Sequence, residues 1–185
     1  MLWRVLPWDA SAADNEPGGP LWVPRDLQGS GRHDAPDHYG CLYLAERAVS
    51  AVAEALAPFR GTGDLAPDLL IRSGRALALA GLELDEGAPR RELVDLDDPG
   101  VLVRENLRPS TVATGHRETT QEYALAQFLS HPRALGLRWW STLEAPWSNV
   151  TLFDRAAARL AVADVQPLGV EDEPVVEAAV FLGLA

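Results

Sequence analysis

Gly29, Ser30, Gly31 and Arg32 make a glycine-rich turn that ends on an arginine. Tyr43 follows within an apolar run, and Glu54 within the segment after it. Glycine lets backbone come close to a ligand. A guanidinium presents a planar fork of donors that matches phosphate. A carboxylate orients a hydroxyl or stabilises developing positive charge. Together these residues form a kit for an anionic, sugar-containing ligand. Each also has an ordinary reading. Arg32 fits a surface loop, Tyr43 a core tyrosine with a satisfied hydroxyl, and Glu54 a solvated helix position. Arg4 sits on a short strand near the core and needs a partner, an ion pair being the simplest. Ser141 reads as a strand-end serine. The Trp139–Trp140 pair alternates across a sheet, which buries one ring and leaves the other exposed or at an interface.

Other chemistries find little support. The chain has no Gly-x-Ser-x-Gly elbow, no P-loop and no strand-linked Gly-x-Gly-x-x-Gly. His33, His38, His116 and His131 lack zinc spacing, and His33 and His38 read as loop-surface residues. Asp95, Asp97 and Asp98 read as a solvated turn rather than a cation site, since the rest of a calcium loop is missing. With one cysteine, Cys41, no disulfide forms within the chain. No metal is expected.

The net charge is −11 and all 16 basic residues are arginines. That balance gives phosphate-backbone binding little support, so no direct nucleic-acid partner is expected. An anionic substrate must then be held by locally placed arginines against the overall field. No run of 18 apolar residues occurs, so no membrane span is expected. The amino terminus, Met1-Leu2-Trp3-Arg4-Val5, does not read as a signal peptide. The expectation is a cytoplasmic protein.

The elements that must position these residues follow from patterning. Leu2–Leu6 reads as a strand stopped by Pro7, and residues 9–31 as a long loop holding Trp22. Residues 40–45 read as a central strand, apolar on both faces. A helix over 46–58 buries Val49, Val52, Ala53 and Leu56 and places Glu54 opposite them. Strands are expected at 69–72, at 75–84 with a bulge at Gly81, and at 93–96. Thr119 and Glu122 have capping-box spacing for a helix reaching Ser130 that buries Tyr123, Ala126, Gln127 and part of Phe128 or Leu129. Further strands fall at 137–140, 147–153 and 160–165, and a terminal helix at 171–182 with an acidic first turn. The expected fold is α+β, a single domain over 1–185 with a mixed β-sheet core and flanking helices.

Taken in order, these segments resemble the RES-domain family, named for a recurring Arg, Glu and Ser and often encoded as toxins beside an Xre-type antitoxin. Leu2-Trp3-Arg4-Val5 is similar to its opening strand. Gly31-Arg32 through Gly40-Cys41-Leu42-Tyr43-Leu44-Ala45 resembles its glycine–arginine turn and following strand, and Ala53-Glu54-Ala55-Leu56 its glutamate helix. Val94-Asp95-Leu96 resembles a middle landmark, Gly136-Leu137-Arg138-Trp139-Trp140-Ser141 the serine segment, and Asn149-Val150-Thr151-Leu152-Phe153-Asp154 the closing strand. One departure is His33, which stands where an aromatic residue is common.

The resemblance implies a fold like that of ADP-ribosyltransferase toxins and NAD as substrate rather than cofactor. It implies cleavage of the nicotinamide–ribose bond by phosphorolysis or hydrolysis, with inorganic phosphate as co-substrate in the first case. Arg32, Glu54 and Ser141 would be catalytic; Arg4, Tyr43 and Asn149 would bind NAD. Arg4 and Arg32 would hold the phosphates, Tyr43 would pack on nicotinamide or ribose, Glu54 would bond ribose hydroxyls, and Ser141 would position substrate. Two alternatives stay open: ADP-ribosylation of a protein target, and an interaction module with a decayed site. The implied partner is an Xre-type antitoxin, with Trp8, Trp22 and Trp147 as contact candidates or else core or homo-oligomer residues.

Overall fold

Two clusters of strands and helices organise the chain, and the computed structural model describes residues 1–85 and 92–184. One unit comprises Met1–Trp22, Leu44–Leu84 and the segment from Ala161; the other comprises Val23–Tyr43 and Asp85–Leu160. The expectation of an α+β fold with mixed strand pairing and flanking helices holds.

In the first unit, β1 (Leu2–Pro7) pairs antiparallel with β4 (Arg75–Leu84) over an unbroken register from Leu2↔Leu82 to Pro7↔Leu77. No bulge interrupts this β1–β4 register at Gly81. A Cβ at Gly81 would lie 3.3 Å from the Trp3 ring and 3.1 Å from the Met1 sulfur, so the glycine makes room for its cross-strand neighbours. The two-residue β3 (Ile71–Arg72) follows a 3-10 turn over Pro67–Leu70 and pairs with β4, as does β8 (Leu160–Pro167). Trp3 pairs with Ala45, the last residue of β2 (Cys41–Ala45).

Helix α1 (Ala48–Leu56) buries Val49, Val52, Ala53 and Leu56 as its periodicity predicts, and packs on β1 and on α5 (Glu173–Leu182). Helix α5 contributes Val175, Ala178, Ala179 and Leu182. It ends where Gly183 takes φ 69°, with Leu184 N–H donating to the Ala179 carbonyl and Gly183 N–H to the Val180 carbonyl. That paired closure requires a left-handed residue, which glycine supplies without steric cost.

In the second unit, β5 (Leu93–Asp95) runs parallel to β6 (Gly136–Trp140), and β6 runs antiparallel to β7 (Ser148–Phe153), which neighbours β2. Every residue of β7 is buried. Two short helices were not anticipated: α2 (Pro99–Arg104) and α3 (Pro109–Ala113). Each opens on a proline at its first position, where the missing N–H costs nothing. The Asp98 side chain caps α2 by accepting from Gly100 N–H.

Helix α4 (Arg117–Ser130) is capped at His116, three residues before the expected Thr119 cap, so the Thr119–Glu122 pair is not a capping box. The helix buries Thr120, Tyr123, Ala124 and Gln127, while Ala126 and Leu129 face solvent. Tyr123, Gln127 and part of Phe128 are buried as expected, with Thr120 and Ala124 on the stripe in place of Ala126. The hydrophobic core of this unit gathers Tyr39, Leu96, Val112, Leu137, Trp139 and Phe153 among others.

Candidate functional site

The glycine turn is built around a carboxylate. Asp34 is buried, and its Oδ2 accepts from Gly29 N–H at 2.8 Å and Gly31 N–H at 2.7 Å. Its Oδ1 accepts from the Tyr43 hydroxyl at 2.6 Å. A Cβ on Gly31 would sit 2.6 Å from both Asp34 Oδ1 and the Tyr43 hydroxyl, so the turn closes this tightly because that side chain is missing. From outside, the Gln121 amide on α4 donates to the Gly29 and Gly31 carbonyls at 3.0 and 2.8 Å. Gln28 clamps the start of β2, accepting from Cys41 N–H and donating to the Cys41 carbonyl.

The tight turn carries Arg32 inward. It is 7% exposed, which excludes the surface-loop reading. Its Nη1 donates to the Val112 carbonyl at 3.0 Å and the Thr114 carbonyl at 2.8 Å, and the guanidinium lies over the Trp139 ring at 5.0 Å. Trp139 is the register partner of Asn149 across β6 and β7, so their side chains share one sheet face. Ser141 follows Trp139 by two residues. It is buried, its amide donates to the Trp147 carbonyl at 2.6 Å, and its hydroxyl accepts from Leu143 N–H at 3.1 Å. Arg32, Tyr43, Ser141 and Asn149 thus belong to one unit, and Arg32 and Asn149 meet at the same tryptophan.

His33 corrects the sequence-based expectation. It is fully buried, not a loop-surface residue. Its Nδ1 is 2.8 Å from Thr151 Oγ1, and its Nε2 is 2.7 Å from the Tyr123 hydroxyl. The ring meets Tyr123 and Trp139 edge-on, with centroids 5.4 and 5.2 Å apart. Its backbone N–H donates to the Tyr43 hydroxyl at 2.9 Å, and its carbonyl accepts from Tyr39. Burial, followed by the charges of Arg32 and Arg117, holds the imidazole well below its usual pKa and therefore neutral. It occupies an aromatic slot as a hydrogen-bonded ring. Burial likewise raises the Tyr43 hydroxyl and the Cys41 thiol, so neither ionises near neutral pH.

Arg4 and Glu54 lie in the other unit. Arg4 on β1 donates to the Pro20 carbonyl at 2.6 Å, and burial lowers its guanidinium pKa to about 10. The expected ion pair is not found among the described residues. Glu54 is exposed on α1, on the side away from the buried stripe.

The aspartates at the end of β5 and beyond it are not simply solvated. Arg138 bonds Asp95 Oδ1 at 3.0 Å and Asp97 Oδ2 at 2.6 Å, and Ser148 joins them by donating to Asp97 at 2.9 Å. Among the described residues, no group of three or more His, Cys, Asp or Glu could hold a metal ion. None of their helices is long and apolar enough to cross a membrane. Of the tryptophans offered as contact residues, Trp147 is buried and Trp8 and Trp22 are half-buried. A depression of about 810 Å³ lies in the second unit between β5 and the segment 130–134, and neither Arg32, Tyr43, Ser141 nor Asn149 lines it. Its Glu92 and Asp95 are already engaged by Arg159 and Arg138.

The RES domain family model matches residues 1–175, and the chain belongs to that family. No curated protein sequence matches it. Among solved structures, the chain is similar to one from the M.tuberculosis MbcT-MbcA toxin-antitoxin complex, with a TM-score of 0.63 and 16% identity. The likeness covers 99% of this chain and 87% of that one, and at this identity it speaks for the fold.

Proposed function

We propose that this protein is an NAD-consuming toxin that cleaves the nicotinamide–ribose bond by phosphorolysis or hydrolysis. The observation that carries this reading is Arg4. Its guanidinium is half-buried on β1 with one nitrogen donating to the Pro20 carbonyl, and an anion that joins it offsets the desolvation that lowers its pKa. A dinucleotide pyrophosphate is such an anion. Membership of the RES family adds the substrate class, and the neighbouring toxin–antitoxin complex adds a partner, an antitoxin protein.

The chemistry asks little of proton donors. The nicotinamide ring nitrogen is positively charged in NAD and takes the electron pair of the breaking N–C bond, so nicotinamide leaves as a neutral molecule and no acid is needed. Positive charge builds on the ribose in an oxocarbenium-like transition state, which the Glu54 carboxylate stabilises while bonding ribose hydroxyls. Arginine at the remote phosphates supplies binding energy and orients the bond that breaks. Tyr43, Ser141 and Asn149 shape the substrate pocket. The polar atoms of the His33 ring are satisfied, which favours an intact site over a decayed one.

The test is expression in a bacterial host without any antitoxin. Cellular NAD should collapse and growth stop, and Glu54→Ala and Arg4→Ala should each abolish both effects while remaining folded. Growth arrest with unchanged NAD would refute the reading.

A further inference from the structure

Four buried side chains form a linear hydrogen-bond chain behind Arg32. Tyr123 meets His33 Nε2, His33 Nδ1 meets Thr151 Oγ1, and Thr151 Oγ1 accepts from Trp139 Nε1–H at 3.1 Å. A neutral imidazole carries one N–H, so one ring nitrogen donates and the other accepts. The chain is therefore directional and ends on the indole beneath the Arg32 guanidinium. An apolar ring in the His33 slot would fill the space without polar atoms to satisfy. A buried polar network gives a unique arrangement when every member is paired, and is costly when one is not. A charged ring would repel Arg32; a neutral one transmits orientation without adding charge.

We propose that His33, through Thr151, is a positioning residue that fixes the Trp139 indole as the platform for Arg32, and so aims the Arg32 guanidinium at a diphosphate. This rests on the NAD reading above for its substrate, although the platform serves any diphosphate. Val112 and Thr114 anchor one guanidinium nitrogen from the backbone. The guanidinium, planar by its own resonance, rests over the indole, and the bond to Thr151 holds the indole against rotation. Phosphate recognition by an arginine fork depends on such planarity.

The test is titration of the purified protein with inorganic pyrophosphate by calorimetry, followed by NAD kinetics. The variants are His33→Phe, Thr151→Val and Thr151→Ser, each alone and with Arg32→Lys, and melting curves confirm folding. His33→Phe and Thr151→Val should weaken pyrophosphate binding by about 5- to 20-fold, and Thr151→Ser, which keeps the hydroxyl, by less than about 2-fold. In the Arg32→Lys background the His33→Phe effect should shrink to less than about 2-fold, because residues acting through one another are not additive. With NAD, kcat/KM should fall by a similar factor. Independent, multiplying effects of His33→Phe and Arg32→Lys would overturn the proposal. So would a wild-type protein that does not bind pyrophosphate. Coupled pyrophosphate binding without NAD turnover would uphold the platform and reject the NAD reading alone.

Discussion

The Tyr43 hydroxyl donates to Asp34 Oδ1 at 2.6 Å while accepting the His33 amide at 2.9 Å, so one phenol closes the glycine turn from both sides. The same Asp34 carboxylate gathers the Gly29 and Gly31 amides. Hydrogen bonds to a buried charged group are worth about 1.5–3 kcal/mol each, more than neutral ones. Asp34→Ala should therefore lower unfolding free energy by about 2–4 kcal/mol, and Tyr43→Phe by about 1–3 kcal/mol, in urea denaturation. Asp34→Ala should also weaken pyrophosphate binding, since the turn that carries Arg32 loses its centre. A stable Asp34→Ala protein with unchanged binding would show that the turn is held by other means.

Gly31 is required by space. A methyl group there meets two polar oxygens already bonded to each other. Overpacking of this kind costs about 1–3 kcal/mol. Gly31→Ala should lower the melting temperature and weaken anion binding, whereas Gly29→Ala meets no atom and is strained by its φ of 146° alone. The two substitutions should be separable by comparing stability with binding.

Acid should unfold the protein partly through His33. Its folded pKa lies well below 6.5, so the unfolded chain binds the extra proton first. The stability due to neutral His33 is complete above pH 6.5 and is lost as pH falls from there toward the folded pKa. The slope is about 1.4 kcal/mol per pH unit for one proton. Denaturation at pH 7 and pH 5 should show a steeper loss in the wild type than in His33→Phe. Equal slopes would place the acid sensitivity on other groups.

Arg138 neutralises Asp95 and Asp97 and is itself mostly buried. Millimolar calcium or magnesium should leave the melting temperature unchanged, because the carboxylates are already engaged. Arg138→Leu should cost about 1–2 kcal/mol, discounted for the exposure of Asp95, and should create a measurable response to divalent cations.

The legible parts of this chain are those set by local pattern. The four-residue stripe on α1, the strands around Arg4 and Tyr43, and the terminal helix follow from periodicity and from their stop signals. What stayed hidden depends on contacts distant in sequence. A histidine in a loop looks solvated until Tyr123 and Thr151, 90 and 118 residues away, provide its partners. The room that Gly81 leaves for Trp3 shows only once the two strands are paired. Arg138 pairs with Asp97 across 41 residues. Helices α2 and α3 were foreseeable, since Asp98-Pro99 and Arg108-Pro109 each place a proline at a helix start, but their shortness left no periodicity to read. Asp34, which organises the turn, was missed because its role lies in backbone amides that carry no sequence signal.

The most direct measurement is mass identification of what the purified protein makes from NAD, with and without inorganic phosphate. The account predicts free nicotinamide in both cases or in phosphate alone, with ADP-ribose phosphate as the second product of phosphorolysis and ADP-ribose that of hydrolysis, and neither with Glu54→Ala. Intact NAD after prolonged incubation with folded protein, phosphate present, would contradict it.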